Sequence, residues 1–123
     1  MRQSRSILLF GILALAVPVL LGWLGPFQSL GAHPWWALTV ALIGAPIGLV
    51  FGVLLARLAL VPSVVLALVA LALAYGVAYY GKTQFAASYA EDAFAGKLWY
   101  FGWIGTAAGM SALILAALIP RRT

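Results

Sequence analysis

Apolar residues occur in four long runs along this chain, and most polar and turn-forming residues lie between them. The runs cover residues 7–24, 36–60, 62–80 and 98–120. A transmembrane helix needs about 20 predominantly apolar residues, and tilt or interfacial flanks adjust that length. The pattern therefore predicts an all-α membrane protein, a compact bundle of four transmembrane helices that residues 1–123 form as one domain.

The first run follows a basic start, MRQSR, as the apolar core of a secretory signal peptide does. The run is longer than a usual signal core, and further apolar runs follow it in the chain. We therefore favour a retained first helix over a cleaved leader.

The composition agrees with a lipid environment, because 66% of the residues are hydrophobic and only 7% are charged. Soluble domains are closer to half apolar and a quarter charged. Cysteine is absent, which removes disulfides, thiolate metal sites and thiol catalysis from consideration. In a soluble protein the net charge of +5 would suggest nucleic acid, but the placement of the charges argues against such a partner.

The charges separate between the two predicted membrane faces. One face carries the arginines, namely Arg2, Arg5, Arg57, Arg121 and Arg122. The other carries charges that cancel, namely Lys82, Lys97, Glu91 and Asp92. The positive-inside rule then places the arginine face and both termini in the cytoplasm of a bacterial inner (plasma) membrane, and we expect anionic lipids at that face.

Small residues recur every four positions in the second run and predict a helix-packing stripe. The stripe consists of Gly44, Gly48, Gly52 and Ala56. Helices in a bilayer associate largely through close packing, so we expect the second span to be the central helix. We expect it to face the small residues of the third and fourth spans, namely Ala70, Ala74, Ala78, Gly105 and Gly109. The stripe does not distinguish a partner in this chain from one in another.

Pro46 predicts a kink in the second span, because it leaves the carbonyl of Leu42 without its helical donor. Thr106 of the fourth span is predicted at a similar depth, so its hydroxyl is a candidate partner for that carbonyl. The alternative, which we favour, is that Thr106 bonds the preceding turn of its own helix.

Residues 81–97 are the only stretch with acidic side chains and predict a short interfacial helix in the third loop. Ser88 and Glu91 have the spacing of a capping box, and Gly96 suits the position after a helix end. The aromatic residues of this stretch would then lie on the membrane surface.

Aromatic residues concentrate at the predicted outer boundary. The candidate ligand or partner surface there comprises His33, Trp35, Trp36, Tyr79, Tyr80, Trp99 and Trp103. The simpler interpretation, which we weight more heavily, is an interfacial belt that anchors two long outer loops. The alternative is an aromatic-lined pocket.

The sequence offers little catalytic chemistry. No Asp, Glu, Lys, Arg or His lies inside the four apolar runs apart from Arg57 near an end, which argues against a proton-coupled antiporter or a voltage sensor. A single histidine cannot make a metal site on its own, and adjacent Glu91 and Asp92 point apart on a helix. We therefore expect no enzyme activity, no metal and no cofactor.

Three functional hypotheses remain. The first is a non-catalytic subunit or accessory factor of a larger membrane complex, in contact with other subunits or with itself. The second is a homo-oligomeric passive channel or a transporter of neutral or lipid-like molecules, lined by Thr39, Thr106, Ser111 and backbone near Pro46. The third and weakest is a quinone, haem or pigment binder at the outer aromatic residues.

Overall fold

The computed structural model describes residues 2–121, with side chains for residues 5–121, and every regular element in that range is helical. The helices are α1 (Arg2–Leu24), α2 (Pro26–Ser29), α3 (Ala37–Leu55), α4 (Leu60–Ala87) and α5 (Ala93–Leu118). Four of these described helices, all except α2, are long and apolar enough to cross a membrane. The predicted all-α fold with four apolar spans is confirmed.

Part of the predicted charge asymmetry lies outside what the structure describes. This part is the side chain of Arg2 and the whole of Arg122. Of the remaining arginines, Arg5 lies near the start of α1, Arg57 in the turn after α3, and Arg121 just beyond α5.

Two of the helices extend beyond the predicted spans. α4 has 28 residues and α5 has 26, which correspond to about 42 and 39 Å of helix. The hydrocarbon core of a bilayer is about 30 Å thick. Both helices are therefore long enough to continue past it, and residues 88–92 join them as a helical hairpin.

The separate interfacial helix predicted within residues 81–97 is not found in that segment, all of which is described. Residues 81–87 continue α4, and residues 93–97 begin α5. Between them, Tyr89 and Ala90 have positive φ angles of 57° and 66°. A right-handed helix does not continue through residues in this left-handed conformation. The cap of α5 is Asp92, whose carboxylate accepts a hydrogen bond from the backbone N–H of Ala95 at 3.0 Å.

The central helix is α5, which packs along most of α4, along α3 and against α1. α3 and α4 hardly touch each other. The prediction that the second span is central is therefore wrong. The physical reason is that α5 carries small residues on two faces, with Gly102 and Gly109 against α4 and Ala108 and Ser111 against α3.

The helices alternate in direction across the bundle. Gly22 near the end of α1 lies against Ala37 at the start of α3, and Gly11 lies near Leu49 toward the end of α3. α1 thus begins at the end of the bundle where α3 turns into α4 and where α5 stops. We call this the arginine end, for Arg5, Arg57 and Arg121. The opposite aromatic end carries the connecting segments 25–36 and 88–92.

Candidate functional site

The glycine stripe of α3 lies directly against α5. A Cβ atom on Gly44 would overlap the carbonyl of Ile104, and one on Gly48 would overlap the carbonyl of Ala108. At Gly52 the added atom would lie 2.9 Å from the Cβ atom of Leu115. The two backbones are therefore in contact along this seam, and only glycine leaves room for that approach at Gly44 and Gly48. Ala56 lies beyond the seam as the C-cap of α3.

Gly105 and Gly109 of α5 face α4, whereas the sequence predicts that they face the second span. A Cβ atom on Gly109 would lie 2.9 Å from the Cα atom of Leu71, and one on Gly105 would lie 3.0 Å from the Cβ atom of Ala74. These contacts form a second seam, in which the glycines belong to α5. That prediction is wrong because the two glycines are turned toward α4 and only border the gap between α4 and α3.

The alanines predicted to face the second span also lie elsewhere. Ala74 and Ala78 contact α5, where Ala78 is fully buried against Gly102. Ala70 is exposed and lines a gap between α3 and α4. The third predicted span therefore turns its small residues toward the fourth.

The hydroxyl that bonds across two spans is that of Ser111. Its Oγ donates to the carbonyl of Ala45 at 2.9 Å, in a buried position. Thr106 Oγ1 instead donates to the carbonyl of Gly102 in its own helix at 2.8 Å, and Leu42 is 54% exposed. The candidate contact from Thr106 to Leu42 is therefore wrong, and the intrahelical alternative is the one found.

The residues predicted to line a passage do not share one. Thr39 and Pro46 are exposed on α3, while Thr106 and Ser111 are buried and hydrogen-bonded. Pro46 lies inside the uninterrupted helix α3, and the kink expected there stays a prediction.

Four of the predicted aromatic-end residues form one group, in which three tryptophan rings lie around the imidazole of His33. Its ring centroid lies 5.3 Å from that of Trp35, 5.9 Å from Trp36 and 5.6 Å from Trp99. His33 Nδ1 accepts a hydrogen bond from the backbone N–H of Trp35 at 3.1 Å, which leaves the proton of the neutral ring on Nε2. The ring thus packs among indoles and anchors its own segment.

Trp103 lies in a second, deeper group whose other members sequence reasoning missed. Its ring centroid is 5.0 Å from that of Phe27 and 5.7 Å from that of Tyr75. Phe27 and Trp103 are 0% and 1% exposed. Pro26 starts the short helix α2 and thereby sets the direction of Phe27. Only the proline marks that helix in the sequence.

Tyr79 and Tyr80 join neither aromatic group. They are 64% and 58% exposed, on the surface of α4. Tyr79 borders a pocket of about 240 Å³ between α4 and the segment after α2, and this pocket has both polar and apolar lining residues. Ser29 and Lys82 also line this pocket, which we call the Lys82 pocket.

The backbone carbonyls beside the Lys82 pocket already accept hydrogen bonds. The phenol of Tyr75 donates to the Leu30 carbonyl at 2.8 Å, and Nε1 of Trp99 donates to the Gly31 carbonyl at 2.9 Å. The amine of Lys82 lies over Gly31, where its Nζ is 3.6 Å from the position a Cβ atom would take. The hydroxyl of Ser29 donates to the Gly25 carbonyl at 3.3 Å. The pocket therefore offers a cation and the hydroxyl group of Tyr79, and it has no carboxylate among its lining residues.

An apolar groove of about 420 Å³ adjoins this pocket along α4 and α5. We call it the Leu71 groove. Its lining residues are Leu30, Leu68, Leu71, Ala72, Tyr75, Thr106 and Met110. Two of these, Leu30 and Tyr75, line the Lys82 pocket as well.

A second apolar gap lies on the opposite face of α4, where α3 and α4 separate above α5. It has a volume of about 350 Å³, and we call it the Ala70 cleft. Its walls are Ile47, Phe51 and Leu55 of α3 and Leu66, Ala67, Ala70 and Ala74 of α4. Its floor is Ile104, Gly105, Ala108, Gly109 and Ala112 of α5.

At the arginine end, the guanidinium of Arg121 links two segments of the chain through hydrogen bonds. Arg121 donates from Nε to the Leu58 carbonyl at 3.0 Å and from Nη2 to Oγ of Ser63 at 2.6 Å. Ser63 is fully buried, and its hydroxyl donates a hydrogen bond to the Leu60 carbonyl at 2.9 Å. Arg121 therefore ties the segment after α5 to the turn between α3 and α4.

Within residues 2–121 there is no group of three or more His, Asp or Glu residues placed to hold a metal ion. The four long apolar helices make this chain a multi-pass membrane protein. No protein-family model, no curated protein and no solved structure matches it.

Proposed function

We propose that this protein is a non-catalytic subunit or accessory factor of a larger membrane complex. The Ala70 cleft is the observation that supports this role most directly. α3 and α4 both pack on α5 and hardly touch each other, so an apolar gap of about 350 Å³ remains between them. The bundle therefore offers a place for a further helix.

The proposed occupant of the Ala70 cleft is a transmembrane helix of another protein. The floor extends from Ile104 to Ala112, which is about 12 Å or two helical turns. Gly105 in that floor is only partly buried and carries no side chain that would hold a helix backbone away. The cleft is lined only by apolar residues and so offers a lipid headgroup no anchor.

The orientation belongs to the same proposal. Arg5, Arg57 and Arg121 lie at one end of the bundle, and positively charged loops favour the cytoplasmic side. The protein would then lie in a bacterial inner membrane with the arginine end inside and anionic lipids around it. Attaching a reporter to residues 88–92, which should face outward, would test this assignment.

The test of the role is co-purification under mild detergent, followed by sizing and mass measurement of the intact complex. We expect a stoichiometric complex with an unlike membrane protein. Ala70→Trp fills the cleft and should release that partner. Ala72→Trp adds the same side chain to an exposed position on the opposite face of α4 and should retain it.

Three results would contradict the proposal. The first is a chain that is monomeric in every mild detergent, and the second is a defined homo-oligomer with no other protein. The third is a hetero-complex that Ala70→Trp leaves unchanged, because the partner would then lie somewhere other than the cleft.

A further inference from the structure

We infer that this protein binds one anionic phospholipid of the leaflet at the aromatic end. The phosphate would occupy the Lys82 pocket, and one acyl chain would follow the Leu71 groove. This site lies on the opposite face of α4 from the Ala70 cleft, so it does not depend on the proposed function.

The pocket and the groove form one continuous amphipathic surface. They share Leu30 and Tyr75, whose mutual hydrogen bond of 2.8 Å fixes the boundary between them. On α4 the contributing residues follow a helical stripe, namely Leu68, Leu71, Ala72, Tyr75, Ala78, Tyr79 and Lys82. Residues three and four apart share a helix face. The stripe is apolar in the membrane and polar only at its aromatic end.

The dimensions of the stripe match those of a lipid. From Leu68 to Lys82 it extends for about 21 Å along the helix. A bilayer is about 40–45 Å thick including its headgroup regions, so one leaflet is about 20–22 Å. A chain that reaches Leu68 would therefore place its phosphate at the level of Lys82.

The charge of the pocket selects an anion. Lys82 supplies a positive charge, and Tyr79 supplies a hydroxyl group that can donate to a phosphate oxygen. The hydroxyl of Ser29 also lines the pocket, but it donates to the Gly25 carbonyl at 3.3 Å. Each of the two adjoining carbonyls already accepts one hydrogen bond, from Tyr75 and from Trp99. The acidic residues Glu91 and Asp92 are not among the lining residues.

A lipid satisfies both halves of the surface at once, whereas other occupants satisfy one. A free phosphate would leave the Leu71 groove open, and an apolar helix would leave the amine of Lys82 over Gly31 without an anion. Charge complementarity at one end and an apolar groove of leaflet depth at the other therefore point to an anionic phospholipid.

The test is lipid titration of the full chain in detergent, followed by native mass spectrometry, with phosphatidylglycerol compared with phosphatidylcholine of the same chain length. We expect the first bound phosphatidylglycerol to be preferred about fivefold, since one lysine near an anionic surface contributes on this scale. Lys82→Gln should remove that preference, and Tyr79→Phe should reduce it about twofold. Circular dichroism and sizing of each variant check that the fold is retained.

Two matched controls separate this site from general attraction to the surface. Lys97→Gln removes the other exposed lysine near the aromatic end and should keep the preference. Ala72→Trp obstructs the groove and should weaken binding of phosphatidylglycerol, while Ala70→Trp should not.

The inference is overturned if the two lipids bind equally well or if Lys97→Gln acts like Lys82→Gln. It is also overturned if inorganic phosphate competes as well as the lipid does, since the groove would then contribute nothing. Undiminished binding in Ala72→Trp would likewise remove the groove from the site. None of these outcomes bears on the Ala70 cleft, so the two proposals fail separately.

Discussion

Both seams on α5 depend on glycines that let two helix backbones come into contact, but the glycines lie on different helices in the two seams. Toward α3, the glycines belong to the partner helix, and Ser111 adds a buried hydrogen bond to the Ala45 carbonyl. Toward α4, the glycines belong mainly to α5 itself, as at Gly102 and Gly109. Between the described residues of α4 and α5 there is no side-chain hydrogen bond, so packing alone joins these two helices along their length.

The first seam lies in a closed region of the bundle, and the second seam lies in an open one. α1 packs against both α3 and α5 and so covers the first seam from one side. The second seam has the Ala70 cleft on one flank and the Leu71 groove on the other. Both of the proposed binding surfaces therefore lie beside α4, whereas α1, α3 and α5 pack against one another.

Gly48→Leu should have the largest effect, because its Cβ atom would overlap the Ala108 carbonyl and force α3 away from α5. We expect the free energy of unfolding to fall by at least about 3 kcal/mol. Denaturation in mixed detergent micelles measures this change. Gly76→Leu is the matched control, since no atom lies within 4 Å of the added Cβ position. Equal stability of the two variants would contradict backbone contact at this seam.

Gly102→Leu should act on α4 alone. The added Cβ atom would lie 2.6 Å from the backbone nitrogen of Ala78, and we expect a loss of about 2 kcal/mol. The chain has no cysteine, so single cysteines report local opening. In this variant a cysteine at Ala67 on α4 should become reactive toward a thiol reagent, whereas one at Ala41 on α3 should stay protected. Equal exposure at both positions would mean that the two seams open together.

Ser111→Ala should have a smaller effect than the two glycine substitutions, because it removes one hydrogen bond without a steric clash. We expect a loss of about 1 kcal/mol from the first seam. Thr106→Val, which deletes a bond internal to α5, should cost less, since it does not join two helices. The same unfolding assay compares the two variants. A larger loss for Thr106→Val would show that the bond from Ser111 contributes little to the seam.

The number and approximate place of the spans could be predicted from the sequence, because apolar run length alone determines them. The ends of α4 and α5 could not. Gly81 and Lys82 read as the start of a loop, yet a helix continues in water if neighbouring helices support it, as Trp99 and Ala95 do at Gly81. The break comes later, at the positive φ angles of Tyr89 and Ala90.

The identity of the central helix also escaped the sequence pattern. The regular stripe of α3 predicts close packing on one face of that helix, but a central helix needs small residues on several faces. In α5 these are less regular, with Gly102, Ala108 and Ser111 pointing in different directions. Similarly, the depth of a residue in the membrane does not by itself show whether Thr106 or Ser111 bonds to α3. The rotation of α5 about its axis determines which of the two hydroxyl groups faces that helix.

The position of α5 at the centre has a consequence for biogenesis. α5 comes after all of its partners in the chain, so α4 enters the bilayer before the helix that holds it has been synthesised. Until then α1 and α3 pack mainly against each other, and α4 has only its slight contact with α3. The bundle is thus completed by the last helix to be synthesised, and a nascent chain halted before Ala93 would lack the main partner of both α3 and α4.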